Sequence, residues 1–241
     1  MDWYADVDMV IRDDLVRAQQ HAWTSIATPG TWWTSAQRLG IARVVIAALS
    51  DPDPLAPWVA PSSTPDRDRP DDLPGVAVDA AYRLARAPGT LTSEWYQDIL
   101  GRGLTEGQYV ELVTLVVRVA AIERFVRIVG SELPALPEPK PGEPTQVVPA
   151  GLHQHHHWVP TVSARDAGPE LEWLYRGGSA PNVIKALTAV PDSYRQIIDL
   201  EQVGYVPFDR QMALDWHRPG LDRRQLELVA AKTSQVNGCF Y

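Results

Sequence analysis

The sequence has little cysteine, a deficit of positive charge and no long uncharged apolar run, and each shortage excludes a class of protein. Its one cysteine, Cys239, rules out a fold held together by intrachain disulfides. The 22 basic side chains against 30 acidic ones give a formal net charge of −8, which argues against a surface for nucleic acid or an anionic membrane. The longest apolar stretch, residues 109–130, is interrupted by charged residues and is therefore predicted to be a core helix.

The remaining composition is typical of a globular protein. Apolar residues make up 45% and charged residues 22% of the 241 positions, which is close to the average for folded domains. Residues 1–6 are acidic, where a secretory signal would be basic and then apolar. We therefore expect a cytoplasmic protein with one large or two modest domains and with no nucleic-acid or membrane partner.

Helical patterns dominate the chain, because apolar residues recur at helical spacing and no segment keeps the alternation of a strand. The fold class is predicted to be all-α. The predicted helices cover about residues 6–25, 35–49, 76–87, 93–100, 106–129, 182–200 and 223–236. Two proline-rich connectors, 51–75 and 133–149, lie between them, since proline does not continue a helix.

Three predicted helices begin with the same capping signal, which suggests a repeated unit. A Thr or Asp followed three residues later by Gln is a capping box, and the pairs are Thr34 with Gln37, Thr105 with Gln108, and Asp222 with Gln225. After the second box, residues 109–113 echo residues 225–229, which aligns Glu111 with Glu227. Either the chain is duplicated or these common capping signals coincide by chance.

The C-terminal segment contains the most specific pattern. Cys239 follows Glu227 by twelve residues, and a strong turn dipeptide at 237–238 separates them. On one continuous helix the two side chains would lie about 120° apart, so they meet only if the chain folds back after the turn. A cysteine that starts a new helix has its pKa lowered by the helix dipole. The apolar neighbours Leu226 and Leu228 predict partial burial of Glu227, which would raise its pKa towards that of a general base.

These residues resemble the core of the alkylhydroperoxidase D and carboxymuconolactone decarboxylase superfamily. The family motif has a glutamate and, twelve residues later, a cysteine in an Asn-x-Cys-x-Tyr context, continuing as Cys-x-x-Cys-x-x-x-His. Glu227, Cys239 and Tyr241 match it, whereas the second cysteine would directly follow Tyr241 and the histidine would lie four residues beyond. The close match covers about the last twenty to twenty-five residues, with a looser similarity around residues 181–187.

The resemblance implies an activity and a role for each matched residue. The complete protein would reduce hydroperoxides: the missing second cysteine would attack the peroxide, Cys239 would resolve it as a disulfide, and Glu227 would relay a proton. No organic cofactor is implied and no residue is assigned to a metal. Electrons would come from a dithiol or a thiol-protein, and the protein would be a homo-oligomer, either a trimer or a hexamer.

The predicted organisation is a degenerate helical half over 1–130, a proline- and histidine-rich linker over 131–160, and a motif-bearing half over 161–241. The first half is predicted to be chemically silent, since Glu123 stands where the motif would place a thiol after Glu111. The second half stops inside the motif, so we expect a truncated sequence rather than a natural relative that ends at Tyr241.

Other interpretations of these features stay open. The lactone decarboxylase branch needs acid/base residues rather than a redox pair, and only Glu227 fits that role. A catalytically silent helical subunit would assemble through apolar faces and keep Cys239 as a small buried hydrophobe. The histidine cluster over 153–157 offers alternate imidazoles to a transition metal, but its position in the linker favours an exposed or packing role.

Overall fold

The computed structural model describes residues 3–60, 73–155, 158–175 and 180–238. Its helices are α1 (Asp13–Thr24), α2 (Ser35–Ser50), α3 (Gly75–Arg86), α4 (Ser93–Gly101), α5 (Glu106–Ile128), α6 (Asn182–Lys185), α7 (Pro191–Gly204) and α8 (Arg223–Val236). Within these ranges the sheet is one antiparallel pair of two-residue strands, β1 (Leu152–His153) and β2 (Thr161–Val162). The all-α prediction is confirmed in the sense that the described chain is mostly helical. The duplication of helical units and the division into three segments stay predictions.

All three predicted capping boxes form, and they fix the starts of α2, α5 and α8. In each box the N-cap side chain accepts a hydrogen bond from the backbone N–H three residues later, and the glutamine at that position accepts one from the N-cap N–H. The pairs are Thr34 with Gln37, Thr105 with Gln108, and Asp222 with Gln225. Residues 221–228, which carry the motif glutamate, are therefore placed by a local signal.

Two predicted helices are wrong in their extent. The first helix begins at Asp13 rather than near residue 6, because Asp13 and Asp14 favour the positive end of the helix dipole. The predicted helix over 182–200 is divided into α6 and α7, because Pro191 has no N–H to donate and instead occupies the first turn of α7.

Helix α5 lies at the centre of the fold. It packs against α1, α2, α3 and α7, and its side chains Leu112, Leu115, Val119 and Ile122 are completely buried. Burial of an aliphatic side chain of this size contributes about 1.5–3 kcal/mol. The predicted core helix over residues 109–130 is confirmed as far as Ile128, where α5 ends.

Membrane-spanning helices are not found in the described ranges, since none of the helices there is both long and apolar enough to cross a bilayer.

The second proline-rich connector lies on the turn between α1 and α2. The backbone N–H groups of Lys140, Thr145 and Gln146 donate to carbonyl oxygens of residues 27–31 over 2.8–3.1 Å. The Trp23 indole donates to the Ala135 carbonyl oxygen at 3.1 Å. These bonds hold in place the turn before α2, which approaches the core of the molecule.

Candidate functional site

Glu227, the predicted proton relay, lies on α8 and has two hydrogen-bond donors. The Tyr205 hydroxyl donates to its Oε2 at 2.7 Å, and the Arg223 Nε donates to its Oε1 at 2.6 Å. Arg223 lies one helical turn before Glu227, so the capping box that starts α8 positions both side chains. The Glu227 side chain is nonetheless 46% exposed, which leaves its carboxylate fixed in position and open to solvent.

The expected burial of Glu227 is wrong. Its neighbours Leu228 and Val229 are 70% and 61% exposed, and Leu226 is the one buried residue among the described residues of α8. Residues adjacent in sequence point to different faces of a helix, so an apolar neighbour does not bury a glutamate. The hydrogen bond from Tyr205 and then the one from Arg223 lower the pKa of Glu227 below its ordinary value, whereas the sequence had predicted a raised pKa.

Cys239 and Tyr241, the other two residues of the motif, lie outside the described residues. The turn before them is confirmed, since Asn237 caps α8 and Gly238 adopts a φ of 64°. This left-handed conformation suits glycine and ends the helix. The pairing of Glu227 with the thiol stays a prediction.

The histidine cluster is only partly described, because His156 and His157 lie outside the described residues. The rings of His153 and His155 are 6.4 Å apart between centroids and meet edge to face. Throughout the described ranges, no three histidine, cysteine, aspartate or glutamate side chains come together as a potential metal site.

A buried ion pair forms a second polar site, to which the sequence analysis gave no role. Arg38 on α2 donates through Nη1 to Oε1 of Glu111 on α5, and the backbone N–H of Trp32 donates to Oε2 at 2.6 Å. The Arg38 and Glu111 side chains are 1% and 0% exposed. The Arg38 Nε also donates to the Ile26 carbonyl oxygen at 3.3 Å, so the pair joins α2 and α5 to the turn before α2.

Gly30 is required by the close approach of this ion pair. A Cβ atom at position 30 would lie 1.7 Å from Oε1 of Glu111 and 2.2 Å from Nη1 of Arg38. An added Cβ would push the ends of both side chains out of their ion pair, so the glycine lets the turn lie directly over the two charged groups.

Arg118 adds a second buried guanidinium to the core. It lies seven residues after Glu111, on the same face of α5, and it is completely buried. Its Nη1 donates to Ser25 Oγ at 2.8 Å and also to Gln196 Oε1. In the described part of the chain, its Nε and Nη2 are buried without an acceptor.

Arg38, Glu111 and Arg118 form one buried cluster, which carries one positive charge in excess. Burial, and to a lesser extent the Arg38 charge, lower the pKa of Arg118 to about 9, while Glu111 opposes the shift. Burial also lowers the pKa of Arg38, against the attraction of Glu111. A pKa near 9 still leaves Arg118 cationic at neutral pH, so the two guanidiniums face one carboxylate. The sequence signal for this cluster was the presence of charged residues inside the apolar run 109–130.

A largely apolar cleft of about 370 Å³ lies beside this cluster, between α1, α5 and α7. Its wall includes Leu15, Gln19, Val117, Arg118, Ala121, Phe125, Ile197, Leu200, Glu201 and Tyr205. The volume falls within the range of roughly 300–1,000 Å³ found for small-molecule sites. Burial raises the pKa of Glu201 above its ordinary value.

Comparison of the chain with known protein families, curated proteins and solved structures gives no match.

Proposed function

We propose that this chain carries the glutamate and the resolving cysteine of a thiol peroxidase that resembles alkylhydroperoxidase D. The observation that supports this is the fixed and solvent-accessible carboxylate of Glu227, held by Tyr205 and Arg223 twelve residues before Cys239. A proton relay needs a carboxylate in a defined position, with a hydrogen-bonded neighbour and access to the reacting group.

The reaction balances with two thiols. A peroxidatic thiolate attacks the hydroperoxide, releases the alcohol and becomes a sulfenic acid; the resolving thiol of Cys239 then condenses with the sulfenic acid, releasing water and forming a disulfide. An external dithiol or thiol-protein reduces the disulfide. Glu227 relays a proton between the thiol and the leaving oxygen.

The lowered pKa of Glu227 restricts its role. A carboxylate that is ionised at neutral pH is a weak base, so Glu227 accepts a proton only transiently and returns it to a neighbour. The Tyr205 hydroxyl, which donates to the carboxylate, orients it for this exchange.

A gain of activity tests the proposal. This sequence contains one thiol, so the 241-residue protein should not consume hydroperoxide over many turnovers. A variant extended after Tyr241 by cysteine, three further residues and histidine, as in the family motif, should show dithiol-dependent turnover of cumene hydroperoxide. The matched control carries serine in place of the added cysteine and should be inactive.

Two outcomes would contradict the proposal. One is a folded, extended protein without turnover. The other is sustained turnover by the original chain that Cys239→Ala abolishes, which would mean that Cys239 attacks the peroxide itself.

A second candidate function is a catalytically silent helical subunit in a homo-oligomer. The exposed apolar side chains of α8 favour it, since Leu228, Val229 and Val236 are 70%, 61% and 74% exposed. A row of such residues on one element is typical of a surface that another protein surface covers. Both proposals involve α8, and the assay of peroxide turnover by the extended variant distinguishes them, because a silent subunit would show no turnover.

A further inference from the structure

The cleft between α1, α5 and α7 combines an apolar wall with a buried cation, and this combination is independent of Glu227 and Cys239. Val117 and Phe125 of α5 and Leu200 of α7 supply apolar surface. Arg118 lines the same cleft, and its Nε and Nη2 have no acceptor among the described residues.

A buried guanidinium without a counter-ion destabilises a fold. Each buried N–H group without an acceptor loses its hydrogen bonds to water and gains none in return, and the buried charge adds a larger desolvation penalty. Glu111 is already bonded to Arg38 and Trp32, so the carboxylate nearest the cluster does not neutralise Arg118. A protein seldom keeps such a group unless it has a use for the charge.

The acidic residue on the wall of the cleft, Glu201, does not neutralise Arg118 either. The hydrogen bonds of Arg118 within the described residues go to Ser25 and Gln196, and its Nε and Nη2 have no acceptor there. Nε and Nη2 of Arg118 are covered by the side chains around them as well as lacking an acceptor among the described residues, so an oxygen anion reaches them by displacing the side chains of the cleft wall. A guanidinium binds a carboxylate through two parallel hydrogen bonds, and Nε with Nη2 form one such pair of donors.

We propose that this cleft binds a small amphipathic monocarboxylate, with the carboxylate on Nε and Nη2 of Arg118 and the apolar body between α5 and α7. The volume of about 370 Å³ suits a medium-length alkyl chain, and the side chains of Val117, Phe125 and Leu200 would contact it. Arg118 already holds Ser25 and Gln196 through Nη1, so the guanidinium is oriented before the ligand arrives.

Isothermal titration calorimetry with three ligands of equal chain length tests the proposal. Decanoate should bind to the full chain. Decanol, which has the same body without the charge, should bind at least about tenfold more weakly, since it forms no charge-assisted pair of hydrogen bonds with the guanidinium. Decyltrimethylammonium should not bind at the cleft.

Substitutions on α5 test the contributions of the cation and of the apolar wall to binding one at a time. Arg118→Met should weaken decanoate at least about tenfold and leave decanol unchanged, since only the charge-assisted bonds are lost. The matched control is Arg124→Met on the same helix, where the arginine side chain is 56% exposed, and it should bind decanoate as the parent does. If Arg118→Met does not fold, Ala121→Trp tests the same cleft: it keeps Arg118, fills the space beside it, and should abolish binding of both ligands.

The proposal is overturned if decanoate and decanol bind with equal affinity, if decanoate does not bind at millimolar concentration, or if folded Arg118→Met or Ala121→Trp binds decanoate like the parent. Glu227→Gln distinguishes this site from the peroxidase proposal. It removes the carboxylate that the peroxidase proposal needs and lies outside the wall of the cleft, so decanoate binding should persist even if the thiol chemistry fails.

Discussion

Arg38 and Glu111 form an ion pair between α2 and α5 that is almost completely shielded from solvent. Because both side chains are buried, neither can exchange its partner for water when the other is removed. The pair therefore links two helices, and its loss would strongly destabilise the fold. The pair of Arg223 and Glu227 on α8 differs from it, because the Glu227 side chain is 46% exposed.

Glu111→Gln should lower the free energy of unfolding by about 3–5 kcal/mol, because it leaves the Arg38 charge buried and uncompensated. Glu227→Gln is the matched control and should cost less than about 1 kcal/mol, since the Glu227 carboxylate is open to solvent. Unfolding in urea, followed by circular dichroism, measures both.

A double variant checks the cause of this loss. Arg38→Met with Glu111→Leu removes both charges and should recover much of the stability that Glu111→Gln loses. Equal losses for the single and double variants would mean that packing, rather than the unpaired charge, sets the cost.

Gly30→Ala should destabilise the protein by about 1–3 kcal/mol, as expected for overpacking a tight core. The added Cβ would overlap both charged groups of the ion pair. Gly101→Ala is the control, since position 101 is helical and a Cβ added there would meet nothing within 4 Å; it should be neutral or stabilising by up to about 1 kcal/mol. Thermal unfolding compares the two, and an equal effect would contradict the packing at Gly30.

The Glu227 carboxylate should contribute to stability in a defined pH range. Its folded-state pKa is lowered by Tyr205 and Arg223, so its contribution is present above the unfolded pKa of about 4.3 and is lost as pH falls through the lower folded value. The stability difference between the parent and Glu227→Gln should be about a few tenths of a kcal/mol at neutral pH. It should decrease towards the acid side, and a difference that grows on acidification would contradict the assigned contacts.

A charged residue introduced on α8 tests whether the protein assembles through this helix. The protein should sediment as a multimer, trimeric or hexameric, across micromolar dilution, because the exposed apolar side chains of α8 would be covered in the oligomer. Val229→Lys should weaken the multimer. Val183→Lys, on the exposed side of α6 at 58% exposure, is the matched control and should not. A parent that sediments as a clean monomer would contradict this assembly.

The features that the sequence predicted well are those fixed by neighbouring residues. Each capping box involves residues three apart, so the starts of α2, α5 and α8 were predicted correctly. The break before Pro191 was also a local signal, and the sequence interpretation missed it by extending the helix through the proline.

The features that the sequence did not predict depend on contacts between distant residues. Arg38 and Glu111 are 73 positions apart, and only the packing of α2 on α5 brings them together. The exposure of Glu227 likewise depends on what α8 packs against, which apolar neighbours in the sequence do not specify. Local patterns give helices, whereas buried polar pairs and solvent exposure require the tertiary fold.

The central claim is that Glu227 and Cys239 belong to one site, and alkylation of Cys239 against pH in the parent and in Glu227→Gln tests it most directly. Removing a neighbouring negative charge favours the thiolate, so the thiol pKa should be lower in Glu227→Gln, by roughly half a unit because an exposed, ion-paired charge interacts weakly. Glu227→Asp keeps the charge and should remain close to the parent. Identical alkylation curves for folded parent and folded Glu227→Gln would show that the two residues do not form a site.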